Sequence, residues 1–356
     1  MPPGLKDVAA RAGVSIKTVS NVVNGHRHVA AETRARVQAA IDALGYVPNP
    51  AARRLRGGRS GVIALAVPEL RSPYFGELAG LIGQAADRHG WTVLIDQTAG
   101  RADRERDLVA RLRQHAIDGL ILSPVALTPD DLDGRHGVPT VLLGERMRDG
   151  PADHVAIDST AAAADATRHL LRLGRRRIAA IGAPGDAYAV TRQQRLTGYR
   201  AALAGAGIAA DPRLEEPVDG LHRAGGAAAM ARLLDRGYLP DAVFCLTDLL
   251  ALGAIRTLHE RGVDVPGDIA VIGFDAIDAG RYSTPSLSTV DPDNARIAQF
   301  AVDLLAERLG DGPAAAAPPR EICVEHRLVA RESTLGRPRP SSPRPGAGRW
   351  PPRPRG

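Results

Sequence analysis

The chain has 356 residues, 44% of them hydrophobic but only 3% aromatic, and a formal net charge of +6. That length asks for two or three domains with cores of Ala, Val, Leu and Ile. No apolar run reaches the roughly 18 residues that span a bilayer, the start MPPGLKD has no apolar leader segment, and two cysteines, Cys245 and Cys323, make neither a zinc quartet nor a disulfide framework; a cytoplasmic chain is expected.

Charge is spread unevenly. Residues 1–60 carry ten Lys/Arg against three Asp/Glu, and the stretch from 337 carries six Arg and no acid. The middle is therefore acidic, with an excess of seven carboxylates. A basic head on an acidic body points to a polyanion as the partner of the head.

Residues 1–47 are patterned for three short helices. In LKDVAARAG, the residues Leu5, Val8, Ala9 and Ala12 share one face. In AGVSIKTVSNVVNG, Ser15 is placed to cap a second helix and Asn24-Gly25 to close it. In AAETRARVQAAIDALG, the stripe is Val37, Ala40, Ile41 and Leu44, with Gly45 at the end. Ala9 and Gly13, four apart, allow two helices to cross closely, and Gly13 can take the left-handed conformation of a helix-turn-helix corner. Val8, Val14, Val19 and Val22 then face inward, and Ser15, Ile16, Lys17, Thr18, Ser20 and Asn21 face outward.

The N-terminal residues of a recognition helix meet base edges. Lys17 can donate to guanine, Asn21 can pair with adenine, and Ile16 can touch a thymine methyl. Ser15, Thr18, Ser20 and Asn24 have the short polar groups that bond phosphates and set register. The alternative is a small helical domain with a solvated polar face.

Residues 48–60, PNPAARRLRGGRS, read as a linker. Pro48 and Pro50 block helix before them, and Ala51–Arg56 makes one or two turns, too short to persist alone. From 61 to 333 seven short apolar runs (GVIALAVP, WTVLID, DGLILSP, VPTVLLG, RIAAIGAP, PDAVFCLTD, IAVIGFD) alternate with amphipathic segments. Such alternation implies an α/β body of parallel βαβ units covered on both faces, large enough for two lobes, with ligand at the carboxyl ends of strands. Residues 334–356, rich in Pro, Arg and Gly, cannot bury a core and are expected to be disordered. They hold no leucine heptad for a coiled coil.

No Walker lysine, GxSxG elbow, HExxH or GxGxxG occurs, and the histidines lack metal-ligand spacing. The body therefore reads as a binder without cofactor or metal rather than an enzyme.

The run from Leu5 to Ser60, with TVSNVVN and GYVPNPAARRLR at its centre, resembles the N-terminal module of the LacI/GalR family of bacterial repressors, and the likeness continues more loosely to about 333. The resemblance implies a helix-turn-helix head (1–47), a hinge helix (48–60) that orders on operator DNA, and a periplasmic-binding-protein-like body (61–333). The lobes would comprise 61–159 with 290–320, and 160–289 with 321–333. By the same likeness Leu55 is the minor-groove wedge, Arg53, Arg54 and Arg56 lie near phosphates, and Thr33, Tyr46 and Asn49 contact the DNA backbone. An apolar wedge of this kind unstacks and kinks a flexible step.

In the body the resemblance assigns effector contacts to Tyr74, Phe75, Asp158, Arg195, Asp248 and Asp275. The sequence departs from the family pattern at Gly144, Gly220 and Thr247. A hydroxyl-rich ligand such as a sugar fits, with nucleobases also open. The implied protein is a homodimeric, effector-controlled repressor on a pseudo-palindromic operator. A sugar-binding module without regulatory role and an α/β enzyme without a recognised motif are the other two readings.

Overall fold

The computed structural model describes residues 3–23, 29–46, 59–111, 117–132, 138–147, 150–183, 189–237, 239–310 and 312–336. The assignments made to Asn24, Asn49, Arg53, Arg54, Leu55 and Arg56, and to the stretch from 337, lie outside these residues. The chain divides into two compact units, Met1–Gly61 and Val62–Gly356.

The first unit holds α1 (Leu5–Ala12), α2 (Ile16–Val23) and α3 (Ala31–Leu44). Helix α1 stops because Gly13 turns left-handed at φ 62°, so that the N–H of Val14 reaches back to the carbonyl of Ala9 at 3.1 Å. Helix α3 ends the same way at Gly45. Space is not the reason for glycine at 13: a Cβ there would meet nothing within 4 Å. The expected close crossing at Gly13 is thus replaced by a purely conformational demand. Val8, Ala9, Ala12, Val19, Val22, Val37, Ala40 and Tyr46 form the core of this unit.

The second unit contains two six-stranded sheets. The first orders as β11-β5-β4-β3-β1-β2, from β1 (Val62–Val67), β2 (Thr92–Gln97), β3 (Gly119–Leu122), β4 (Thr140–Leu143), β5 (Asp153–Ile157) and β11 (Glu321–Val324). The second orders as β12-β10-β9-β8-β6-β7, from β6 (Ile178–Ala183), β7 (Glu215–Pro217), β8 (Ala242–Cys245), β9 (Ala270–Phe274), β10 (Ser288–Asp291) and β12 (Arg327–Val329). All these pairings are parallel except β10 with β12.

Helices α4 (Pro73–Asp87), α5 (Ala102–Arg111) and α11 (Asn294–Leu309) belong to the first lobe, and α6 (Ser159–Arg172), α7 (Ala189–Gly205), α8 (Arg223–Asp235), α9 (Asp248–Glu260), the single turn α10 (Asp278–Arg281) and the short α12 (Glu332–Leu335) to the second. The chain crosses between lobes at Asp158, after Asp291, and at Glu325–His326. The last crossing corrects the expected one near 320, because Glu321–Val324 pairs with β5 of the first sheet.

Most strands are covered on both faces, as continuous apolar runs require. Strand β2 departs from this: it is an edge strand that leaves Leu94 half exposed at 50% and Ile95 at 47%.

Candidate functional site

Two surfaces carry the sequence-assigned residues. On the first unit the surface is α2. Ser15 starts it: its Oγ accepts from the N–H of Thr18 at 3.0 Å and shares a hydrogen bond with the Thr18 hydroxyl at 2.9 Å. At 100° per residue, Lys17 and Asn21 fall on one arc away from Val19 and Val22, and Thr18 lies at its margin beside Val22. Lys17 is exposed, Asn21 and Thr18 are half-buried, and Ile16 is 38% exposed in the first turn.

Two backbone-contact assignments need correction. Ser20 is only 7% exposed, because it lies beside Val23 at the margin of the apolar stripe. Tyr46 is 8% exposed and packs in the three-helix core, its N–H held by the carbonyl of Ile41 at 3.0 Å. Thr33 is half-buried in the first turn of α3.

In the second unit the carboxyl ends of β1, β2, β3, β4, β8 and β9 converge on a cavity of about 330 Å³ between the lobes. Tyr74 and Phe75 line it from the start of α4, which Pro73 opens at the first helical position. Their rings meet edge to face at 5.0 Å. Arg195 enters from α7. Its guanidinium lies 3.6 Å over the ring of Phe274, donates to the carbonyl of Leu246, donates to Asp275 Oδ1 at 3.2 Å, and stands 3.7 Å from Glu145 Oε1.

Glu145 comes from the loop after β4 in the first lobe, yet it accepts hydrogen bonds from Ser159 and Thr191 of the second, the latter at 2.7 Å. The carboxylate therefore ties the two lobes together across the cleft. Burial alone would raise its pKa, but Arg195 and the two hydroxyls outweigh that and hold it below the usual range. Asp275 goes the other way: burial dominates, Arg195 opposes it, the charges of Glu145 and Glu77 add to it, and the carboxyl is pushed up to about 7.

Two effector assignments are corrected. Asp158 is exposed, caps α6 by accepting from the N–H of Ala161 at 2.9 Å, and does not line the cavity. Asp248 is fully buried behind the wall. It accepts from the N–H of Ile277 at 2.9 Å and the hydroxyl of Thr289 at 2.6 Å, so it secures the loop that carries Asp275.

The cavity also contains residues the sequence reading did not assign to it: Glu69, Gln97, Glu145, Thr191, Arg192 and His222. Glu145 was legible, since it lies two residues past the carboxyl end of β4, close to where Asp275 follows β9. Arg192 carried no signal apart from its place one helical turn before Arg195. Among the described residues no helix is long and apolar enough to cross a membrane, and no group of three or more His, Cys, Asp or Glu is arranged to hold a metal.

A helix-turn-helix head followed by a two-lobed cleft defines a ligand-binding regulator. Residues 4–49 match the family described as bacterial regulatory proteins, lacI family, and residues 167–334 match the periplasmic binding protein-like domain. The chain is 34% identical to the HTH-type transcriptional repressor PurR of Proteus mirabilis, over 94% of this chain and 97% of that protein. A LacI-family structure from Sanguibacter keddieii, itself a candidate transcriptional regulator, is 48% identical with a TM-score of 0.72, covering 78% of this chain and all of that one. The lac repressor dimer bound to operator and the anti-inducer ONPF is 29% identical with a TM-score of 0.83, covering 94% of this chain and 100% of that one. The chain belongs to the lacI family of bacterial regulatory proteins.

Proposed function

We propose that the chain is a cytoplasmic, homodimeric transcriptional repressor whose grip on a pseudo-palindromic operator is set by a small molecule bound between its lobes. The observation that carries this reading is the pairing, in one chain, of an α2 helix with Lys17 and Asn21 on its outward arc and a cleft lined by both lobes. Ile16, Lys17 and Asn21 read bases, while Ser15 and Thr18, with Thr33 at the head of α3, approach phosphates. Leu55, flanked by Arg53 and Arg54, enters the minor groove at the operator centre. Two heads need two copies of the chain, and an operator of matching symmetry. The half-exposed Leu94 and Ile95 on the edge strand β2 support a second copy as the partner of that edge.

Coupling follows from the geometry of the cleft. A ligand touching Tyr74 and Phe75 from one lobe and Arg195 and Asp275 from the other fixes the angle between the lobes, and it does so next to the Glu145 tie. Two sites then share one bistable element. The reading is tested by gel shift on the DNA upstream of the chain's own gene and on a selected library. Sequence-specific, salt-sensitive retardation is expected, with Lys17→Ala reducing it at least tenfold; retardation that ignores sequence would sink the proposal. Arg195→Ala should remove the response to effector and leave operator affinity intact.

A further inference from the structure

We propose that Asp248 and Thr289, neither of which lines the cavity, are positioning residues that tie the cleft-facing loop of Asp275 to two of the three crossings between the lobes. This deepens the effector-controlled reading above and rests on it for its use. The loop follows a path that most residues avoid. Asp275 has φ 110° and Ala276 φ 53°, both on the left-handed side of backbone space, and neither is glycine. Such backbone persists only where its surroundings hold it.

Three consecutive amides are held here. The N–H of Asp275 donates to the carbonyl of Val290 at 3.0 Å, that of Ala276 to the hydroxyl of Thr289 at 3.3 Å, and that of Ile277 to Asp248 Oδ2 at 2.9 Å. The Thr289 hydroxyl in turn donates to Asp248 Oδ1 at 2.6 Å and closes the ring of bonds. Asp248 and Thr289 are both 0% exposed, so water does not replace a bond that breaks. The fit around them is close. A Cβ on Gly273, which pairs with Thr289 across β9 and β10, would lie 2.2 Å from Asp248 Oδ1.

Thr289 stands on β10, which leads into the crossing after Asp291. β10 pairs with β12, which follows the crossing at Glu325–His326, and Arg327 of β12 donates to Asp291 Oδ2 at 2.7 Å. Two crossings are therefore joined side by side. Asp275 meets the cleft from the other end of the network, bonded to Arg195. With its three amides fixed, the loop cannot absorb a displacement of Asp275 by itself. The displacement passes to β10 and through it to both crossings, and crossings that move together change the angle between the lobes.

The test is hydrogen–deuterium exchange on the full chain, without ligand or DNA, in a double-mutant cycle. Asp275→Asn supplies a change on the cleft side, Thr289→Val removes the link, and Thr289→Ser keeps the hydroxyl. In the parent chain Asp275→Asn should alter exchange about threefold or more in the stretches 290–296 and 323–330, which hold the two crossings. In the Thr289→Val background that response should vanish, and in the Thr289→Ser background it should return. Equal responses in the parent and in Thr289→Val would overturn the proposal. So would no response in the parent, or no recovery with serine. A Thr289 that only supports the fold would lower the melting temperature on Thr289→Val and leave the crossings' response to Asp275→Asn as it was.

If Thr289→Val does not fold, Thr289→Ala takes its place in the cycle with the same expectations. Ala276→Gly checks the strain separately: glycine takes the left-handed path freely, so the melting temperature should rise, and an unchanged or lower one would deny the strain. Gel shifts keep the two claims apart. A chain that passes the exchange cycle but retards DNA without regard to sequence refutes effector control and leaves the link standing. A chain that retards its operator specifically but fails the cycle does the reverse.

Discussion

Asp248 and Asp275 end neighbouring parallel stretches of the second lobe, yet only one of them faces the cleft. Asp275 lines it and Asp248 supports it from behind, bonded to Ile277 and Thr289. Sequence position told both apart from the solvent but not from each other, because a strand's carboxyl end fixes location along the strand and not which side of the loop a carboxylate takes. The same limit explains Ser20 and Asp158, where polarity was read as exposure or contact and the structure uses it for packing and capping. Lys17 and Asn21 were legible because a helix rotates 100° per residue and Val19 and Val22 fix its inner face.

Asp275 also makes a pH prediction. Its carboxyl is raised in the folded chain from 3.8 to about 7, so the folded state holds the proton more tightly than the unfolded one. The stability it contributes is full below its ordinary pKa and lost as pH rises through about 7. Asp275→Asn should flatten this fall in melting temperature relative to the parent chain across that window, and parallel curves would refute the assignment. At Gly13, where φ is 62° in open space, Gly13→Ala should cost about 1 kcal/mol, seen as roughly fivefold faster hydrogen exchange of the α1 and α2 amides.

Among the elements, the seven apolar runs all became strands; six are buried on both faces, as their continuous apolar character implies, while WTVLID became the half-exposed edge strand β2. The strands outside those runs, β5, β7, β10, β11 and β12, are short or carry polar residues, and three of them lie at sheet edges where hydrophobic continuity is not required. Loop placement depended on contacts no pattern displays. Glu105 of α5, fully buried, accepts from the N–H groups of Val125, Ala126 and Leu127 at 2.9–3.0 Å and so fixes the loop that borders the cleft. Glu105→Ala leaves these donors unmatched and should destabilise the chain by about 3 kcal/mol in urea unfolding; a loss below about 1 kcal/mol would deny it that role. Helices α8 and α9 approach so closely that a Cβ on Gly253 would lie 1.9 Å from the carbonyl oxygen of Arg223. Gly253→Ala should therefore force the pair apart and lower the melting temperature by more than Gly13→Ala does.

For the molecule as a whole, the edge strand β2 predicts assembly. Replacing Leu94 and Ile95 together by Glu should yield monomers in sedimentation, with operator affinity lost alongside; an unchanged sedimentation coefficient would place the second copy elsewhere. The return of the chain at its far end has a consequence for synthesis. Strand β11 completes the first sheet and β12 the second, with only Glu325 and His326 between them, and Ser333 then bonds the carbonyl of Val271 and the N–H of Ser288. Neither lobe can finish its sheet until residues 321–329 have been made, because each waits for an outer strand from that stretch. The two lobes thus become complete almost at the same moment, and a chain cut short before residue 321 lacks the final strand of both.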